Sequence, residues 1–297
     1  MTTASPQTEA KPAVTVIGLG EMGFTLASAF LDGGHPTTVW NRTPEKADDL
    51  VARGAELAAS VRDAVTAGSL VVVSVKGNAT ARELLEAAGD DALSGRAVLN
   101  LTDGTSAEAR AVADWATAQG AQYLHGQIMT IAPGIGGAES VVFYGGSDTV
   151  YDRYQPTLQL IGGRGALVAD DPGVPTLYGM AVHDTMWGTL NGFLHAAALL
   201  SSEGIEAKRF LDDAGASVSA LLGYLPMIAG EVDRAEYATE YGALQHHRPS
   251  VEDLIRESRA RNIDAEFPSY TLGLVNKAVE GGHAGDSYSR LIEQFRK

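Results

Sequence analysis

The sequence predicts an α/β N-terminal domain on a doubly wound parallel sheet, joined by a long interdomain helix to an all-α C-terminal domain. Three observations predict this. Up to about residue 170, short β-branched runs alternate with helical patterns. The Asp, Pro and Gly cluster in "ALVADDPGVP" then marks a boundary. Beyond it the pattern is helical to the end of the chain.

The strands, in order, are "AVTVIG" from residue 13, "TTVW" from 37, "LVVVSV" from 70, "AVLNL" from 97, and the weaker "AQYLHG" and "SVVFYGG" from 121 and 140. The first four are apolar with little alternation, as in strands covered on both faces. Parallel neighbours need a crossover, and helix-like segments lie between most of these runs. The all-α part reads as helices over 174–202, 204–214, 216–231, 249–261 and 268–281, with a short one near the C-terminus. The limits that follow are a disordered tail over 1–12, an α/β domain over 13–172, an interdomain helix over 173–203 and a helical domain over 204–297.

Composition narrows the class. A chain of 297 residues can bury a sizeable core in one large domain or two ordinary ones. Lys plus Arg number 22 against 37 for Asp plus Glu, a net charge of −15, which argues against a nucleic-acid or anionic-membrane surface. With no cysteine, disulfides and thiolate chemistry are excluded, so catalysis must use oxygen and nitrogen groups or a cofactor. The opening "MTTASPQTEAKP" lacks the apolar run of a secretion signal, and a cytoplasmic protein is expected. The apolar stretch over 186–200 is interrupted by Asn191 and His195 and falls short of the roughly 20 residues of a membrane span, so none is expected.

"VTVIGLGEMG" places Gly18, Gly20 and Gly23 in a G-x-G-x-x-G frame, straight after a strand and at the start of a helix. The first glycine makes the tight turn, the second lets main chain approach a pyrophosphate, and the third lets helix and strand pack closely. Free N–H groups at the helix start then face the anion. Leu19 and Met22, inside the frame, share the cofactor-binding assignment. About 20 residues on, where an NAD enzyme wants an acidic residue for the ribose 2′-hydroxyl, the chain reads "VWNRTPEK". Asn41 is neutral, Arg42 offers a fork to a phosphate, Thr43 adds a hydroxyl, and Lys46 lies a turn further on. This set favours NADP(H). Val75, Asn100 and Thr102 end the next strands, where such sheets place their ligands; for Asn100 and Thr102, capping of a loop is the alternative to cofactor contact.

"LYGMAVHDTMWGTLNGFLHA", residues 177–196, opens the helical part and contains no lysine. At ~100° per residue, Met180, Asp184, Trp187, Gly188, Asn191 and His195 share an arc of roughly 80°. Val182, Met186, Leu190, Phe193, Ala197 and Leu200 gather opposite, as a stripe that would pack on the core. A large aromatic beside a carboxylate suits recognition of a cation. His183 points away from Asp184, and His195 reads equally as a satisfied core histidine. His246 and His247 have no carboxylate at helical ligand spacing, and no catalytic metal is expected.

On these residues the chain resembles the NADP-dependent imine reductases and reductive aminases, relatives of the β-hydroxyacid dehydrogenases. "GLGEMGFTLASAFLDGGHPTTVWNRTPEK" is similar to their cofactor signature, and "GFLHAAAL" and "AVEGGHAGDSYSRLIEQF" to their interdomain helix and C-terminal end. The resemblance covers nearly the whole chain after the tail. It implies an N-terminal Rossmann domain and a helical C-terminal domain for dimerisation and substrate, which wraps around its partner in a reciprocal, domain-swapped homodimer. The cleft would then lie between the cofactor of one chain and helices of the other. The acid relatives carry a catalytic lysine at a place that "DDPG" and "GFLHA" align with Gly179. The Asp or Asn that many imine reductases have there is absent too, and the position often Tyr in the family aligns with Trp187. Asp184 is then the acid on the cleft face of that helix, by spacing rather than by motif.

The expected function is NADPH-dependent reduction of imines or iminium ions to amines, extending to reductive amination of ketones with amines. Asp184 would supply charge or relay a proton, while Met129, Trp187, Tyr224 and Met227 would shape an apolar pocket. The expected partners are a small-molecule imine, or an amine and ketone, and a second copy of the chain; no nucleic acid and no membrane. Two alternatives stand beside it: a β-hydroxyacid dehydrogenase-type oxidoreductase, and a non-catalytic NADP(H)-binding regulator.

Overall fold

The computed structural model describes residues 10–296. The tail expected over 1–12 therefore lies, for residues 1–9, outside the described residues. The chain divides into two compact units, 1–183 and 184–297.

The first unit holds an eight-stranded sheet in the order β3-β2-β1-β4-β5-β6-β7-β8. Its strands are β1 (Val14–Ile17), β2 (Thr37–Trp40), β3 (Glu56–Leu57), β4 (Leu70–Val73), β5 (Ala97–Asn100), β6 (Gln122–Ile128), β7 (Val142–Gly146) and β8 (Ala166–Ala169). Helices α1 (Glu21–Asp32), α2 (Asp48–Ala52), α3 (Val61–Ala67), α4 (Asn78–Ala87), α5 (Ser106–Ala118) and α6 (Asp148–Leu158) cover its two faces. The period of two along a strand divides the core accordingly. Val14 and Val16 pack with Leu26 and Phe30 on one side, while Ile17 packs with Val71, Val73 and Leu85 on the other. Thr15, fully buried, donates its hydroxyl to Ala64 O at 2.7 Å, so the polar atom is satisfied.

Order reverses between β1 and β4, and this reversal positions the site. Ile17 is level with Trp40 on one side and with Val73 on the other. Three strands therefore end together and their loops converge.

One neighbour pair departs from the parallel expectation: β6 and β7 are antiparallel, with Ile128 opposite Val142. A parallel return would need a crossover element, but the connection contains Pro133, Gly134, Gly136 and Gly137 and forms only one short turn, Ala132–Gly134. Two strands escape the sequence pattern. β3 is two exposed residues, and β8 sits in the segment that reads as a boundary.

α7 (Val174–Ser201) runs from the first unit into the second, which continues with α8 (Ala207–Leu222), α9 (Leu225–Arg234), α10 (Leu244–Ala260), α11 (Glu266–Ala278) and α12 (Ile292–Phe295). A small core of Leu244, Val275, Ala278 and Leu291 ties α10 and α11 to the C-terminal end. The helix break expected near 215 lies instead at Gly223 and Tyr224. A helix tolerates Gly215 at about 1 kcal/mol, whereas Pro226 sits in the first turn of α9, where its missing N–H is harmless.

The stripe expected to pack on the core behaves differently. Val182, Met186 and Leu190 are exposed, and so is every residue over 184–191. α7 is apolar nearly all round, and such a helix needs cover on more than one face. α8 and α9 bury no residue.

Candidate functional site

The converging loops of β1, β2 and β4 enclose a cavity of about 480 Å³. Gly18, at φ +97°, turns the chain where a Cβ would stand 2.2 Å from Ser74 O. At Gly23 an added Cβ would come within 1.9 Å of Gly18 O, so helix and turn touch through main chain. A Cβ at Gly20 would meet nothing within 4 Å. That is the room a pyrophosphate needs in front of the backbone. Gly20 also caps α1 without a side-chain acceptor, which leaves the first-turn N–H groups to a ligand anion.

Asn41 joins the two loops. It accepts from Leu19 N–H at 3.0 Å and donates its Nδ2 to Thr43 O at 2.9 Å, so it fixes the glycine turn against the end of β2. Leu19 itself points into the core, 3 % exposed. Met22, Arg42, Thr43, Lys46 and Val75 line the cavity with the glycines and Asn41. Sequence reasoning missed Glu21, Trp40, Ser74, Lys76, Thr80 and Leu84, which also line it. Lys76 has no motif of its own; the signal for it was its place just past β4, at a carboxyl end of the switch point.

The charges of this wall fit a phosphorylated nucleotide. Among the described residues, neither Arg42, Lys46 nor Lys76 has an acidic partner, although fourteen ion pairs form elsewhere. In a chain of net charge −15, three unpaired cations around one cavity are a built anion site. The glycine cradle and this donor set together fit a dinucleotide carrying an additional 2′-phosphate.

Asn100 and Thr102 are tied into the loops after β4 and β5 by hydrogen bonds of their own. Asn100 is fully buried and donates its Nδ2 to Asn78 Oδ1 and to the Tyr123 hydroxyl, both at 2.9 Å, while its Oδ1 accepts from Thr102 N–H at 3.1 Å. Thr102, 1 % exposed, offers its hydroxyl to Val75 N–H at 3.5 Å. Both side chains brace the β4 and β5 loops from inside. Burial also pushes the Tyr123 hydroxyl well above the usual phenol range.

Met129 follows β6, half-buried, its N–H bonded to Val141 O at 2.9 Å. Asp184 and Trp187 are exposed on α7, and Tyr224 and Met227, each 55 % exposed, mark the corner of α8 and α9. The Nε2 of His195 lies 3.2 Å from Asp264 O, and its ring packs against Phe267. Gly179, where the helix carries no side chain, is buried against Gln127. Among the described residues no group of three His, Asp or Glu side chains is placed to hold a metal ion.

Residues 171–297 match the family model described as NADPH-dependent reductive aminase-like, C-terminal domain, and residues 13–169 match the NAD binding domain of 6-phosphogluconate dehydrogenase. Over 290 residues the chain is 34 % identical to an NADPH-dependent reductive aminase of Aspergillus oryzae, covering 95 % of this chain and 97 % of the relative. Among solved structures, the reductive aminase from Aspergillus terreus in complex with NADPH and ethyl levulinate is 37 % identical, with a TM-score of 0.88 over 96 % of this chain and 100 % of that one. An imine reductase from Bacillus cereus is 34 % identical, with a TM-score of 0.89 over 96 % and 99 %.

Proposed function

The chain belongs to the NADPH-dependent reductive aminase and imine reductase family, and on that premise we propose that it reduces imines and iminium ions, including those formed from ketones and amines, to amines. The observation that carries this reading is the glycine cradle flanked by three unpaired cations.

NADPH, when bound, supplies a hydride. The chain's own residues hold it. The α1 N-terminus and Gly20 receive the pyrophosphate, while Arg42, Thr43 and Lys46 receive the 2′-phosphate, with Lys76 adding positive charge beside them. A protonated C=N is already an electrophile, so the protein needs positioning, exclusion of water and a negative site more than acid strength. Asp184 supplies that charge or relays a proton, and Met129, Trp187, Tyr224 and Met227 present apolar surface to the substrate.

The working form in this reading is a domain-swapped homodimer in the cytoplasm. Leu194, Leu221 and Leu222 are 62, 63 and 57 % exposed in the isolated chain, apolar surface that a second copy would cover. By length and composition alone, Ala207–Arg234 would pass for a membrane span, but the Lys208–Asp212 and Arg209–Asp213 pairs on α8 favour a protein partner over lipid.

The test is NADPH oxidation with a panel of cyclic imines and of ketone plus amine pairs, beside 3-hydroxy acids with NADP⁺. Turnover of imines is expected. Oxidation of 3-hydroxy acids alone would favour the dehydrogenase, and tight NADPH binding without turnover of any of these would favour the regulator.

A further inference from the structure

We propose that Asp103, held in place by Gln127, is a second carboxylate that binds the cationic nitrogen of the substrate; this rests on the imine-reducing reading above. The observations lie within the nucleotide-binding unit. Gln127 is 7 % exposed on β6, and its Nε2 donates to Asp103 Oδ1 at 2.9 Å. Asp103 is exposed, and among the described residues its Oδ2 accepts no hydrogen bond. One oxygen is anchored and, among the described residues, the other is left without a hydrogen-bond donor.

The backbone around Asp103 is clamped on both sides. Before it, Thr102 N–H is bound by Asn100 Oδ1 at 3.1 Å, and the Thr102 hydroxyl meets Val75 N–H of the cavity wall. After it, a Cβ at Gly104 would stand 2.3 Å from Asn78 Nδ2, and Thr105 with Glu108 forms a capping box at the start of α5. The carboxylate is therefore preorganised at the carboxyl end of β5, beside the loop of β4 that lines the cofactor cavity. Ligands of a doubly wound sheet bind at the carboxyl ends of its strands, and a fixed charge there needs little reorganisation to act on them.

Gly179 is what lets Gln127 do this. An added Cβ there would lie 2.5 Å from Gln127 Cγ and 3.0 Å from its Cδ, so a side chain at this position requires Gln127 to shift. Gln127 is a positioning residue; Asp103 is the group that meets the substrate.

The chemistry balances without a proton leaving Asp103. Hydride adds to the carbon of C=N⁺, and the π pair moves to nitrogen and cancels its charge. Because the positive charge is greatest before the transfer, Asp103 acts mainly on binding of the cation, and its loss raises KM more than it lowers kcat.

The experiment uses the full chain saturated with NADP⁺ and compares binding of piperidine, a cation at neutral pH, with tetrahydropyran, a neutral ring of the same size, by calorimetry. Loss of one charge-assisted contact is expected to weaken piperidine binding to Asp103→Asn by about tenfold or more, with tetrahydropyran unchanged. Gln127→Leu should shift the same ratio in the same direction by a smaller factor, whereas collapse of the loop would weaken both rings and NADPH affinity alike. Asp103→Ser supplies the comparison if the Asn variant misfolds. In steady-state assays the variants should raise the KM of a cyclic imine with the smaller change in kcat. Equal discrimination of the two rings by wild type and variants would overturn the assignment of Asp103. Absence of imine reduction by the wild type would instead overturn the reading of the activity, which the ring comparison does not depend on.

Discussion

His125 allows an effect to be worked out from the structure and then tested. It is fully buried on β6, with Nε2 3.2 Å from the Thr176 hydroxyl, and among the described residues its Nδ1 has no partner. Burial holds its imidazole at about 4 rather than 6.5, and the negative charge of Asp103 only partly opposes this. The folded value lies below the unfolded one, so the unfolded chain binds the extra proton between them. The contribution is therefore present above pH 6.5 and is lost as pH falls toward 4. The full difference corresponds to about 3 kcal/mol, of which about 2 kcal/mol is lost between pH 7 and pH 5. Asp171 and Glu231, held below the usual carboxylate range by Arg110 and by Ser287 with Ser289, add their own acid sensitivity only below that window. In His125→Gln the amide can still bond Thr176 but does not titrate. Urea unfolding at pH 7 and pH 5 should show the wild type losing about 2 kcal/mol more than the variant. Parallel losses in the two proteins would refute the reasoning.

Arg42→Ala should weaken NADPH binding by roughly 10- to 100-fold, the worth of a charged contact, and leave NADH binding nearly unchanged; equal losses measured by nicotinamide fluorescence would remove Arg42 from the 2′-phosphate site. Gly23→Ala places a methyl 1.9 Å from Gly18 O, and the turn must open, so a fall in NADPH affinity is expected together with a lower Tm. Asp184→Asn should cut turnover of a cyclic imine by about tenfold or more with little effect on NADPH affinity, within the range of general acid assistance. Unchanged turnover would leave Asp184 without a part in the mechanism.

What the sequence reveals here depends on whether the partner of a residue is local. The glycine turn, the Arg42 loop and the alternation of strands and helices depend on neighbours within about 20 residues, and they are legible. The antiparallel return of β7 is decided by a Gly- and Pro-rich connection that offers no helix for a crossover, a signal present but easily passed over. Asn100 reads equally as a ligand contact or a cap, because Asn78 and Tyr123, which use up its amide, stand more than twenty residues away. α7 misleads for another reason. Apolar residues at helical spacing imply cover, but nothing in their spacing says whether the cover is the same chain or another copy.

Gly179 shows the limit most sharply. In the sequence it is a missing side chain on a helix, and its meaning looks like loss. In the fold it is the space into which Gln127 fits, 52 positions earlier in the chain, and Gln127 in turn holds Asp103 on the loop after the neighbouring strand β5. Putting a carboxylate back on the helix by Gly179→Asp would therefore not simply add an acid. The new Cβ would displace Gln127 and release Asp103, so this variant should discriminate piperidine from tetrahydropyran less well than the wild type, despite carrying one more negative charge. Sharper discrimination would show that the helix position, and not Asp103, is where the cation is read.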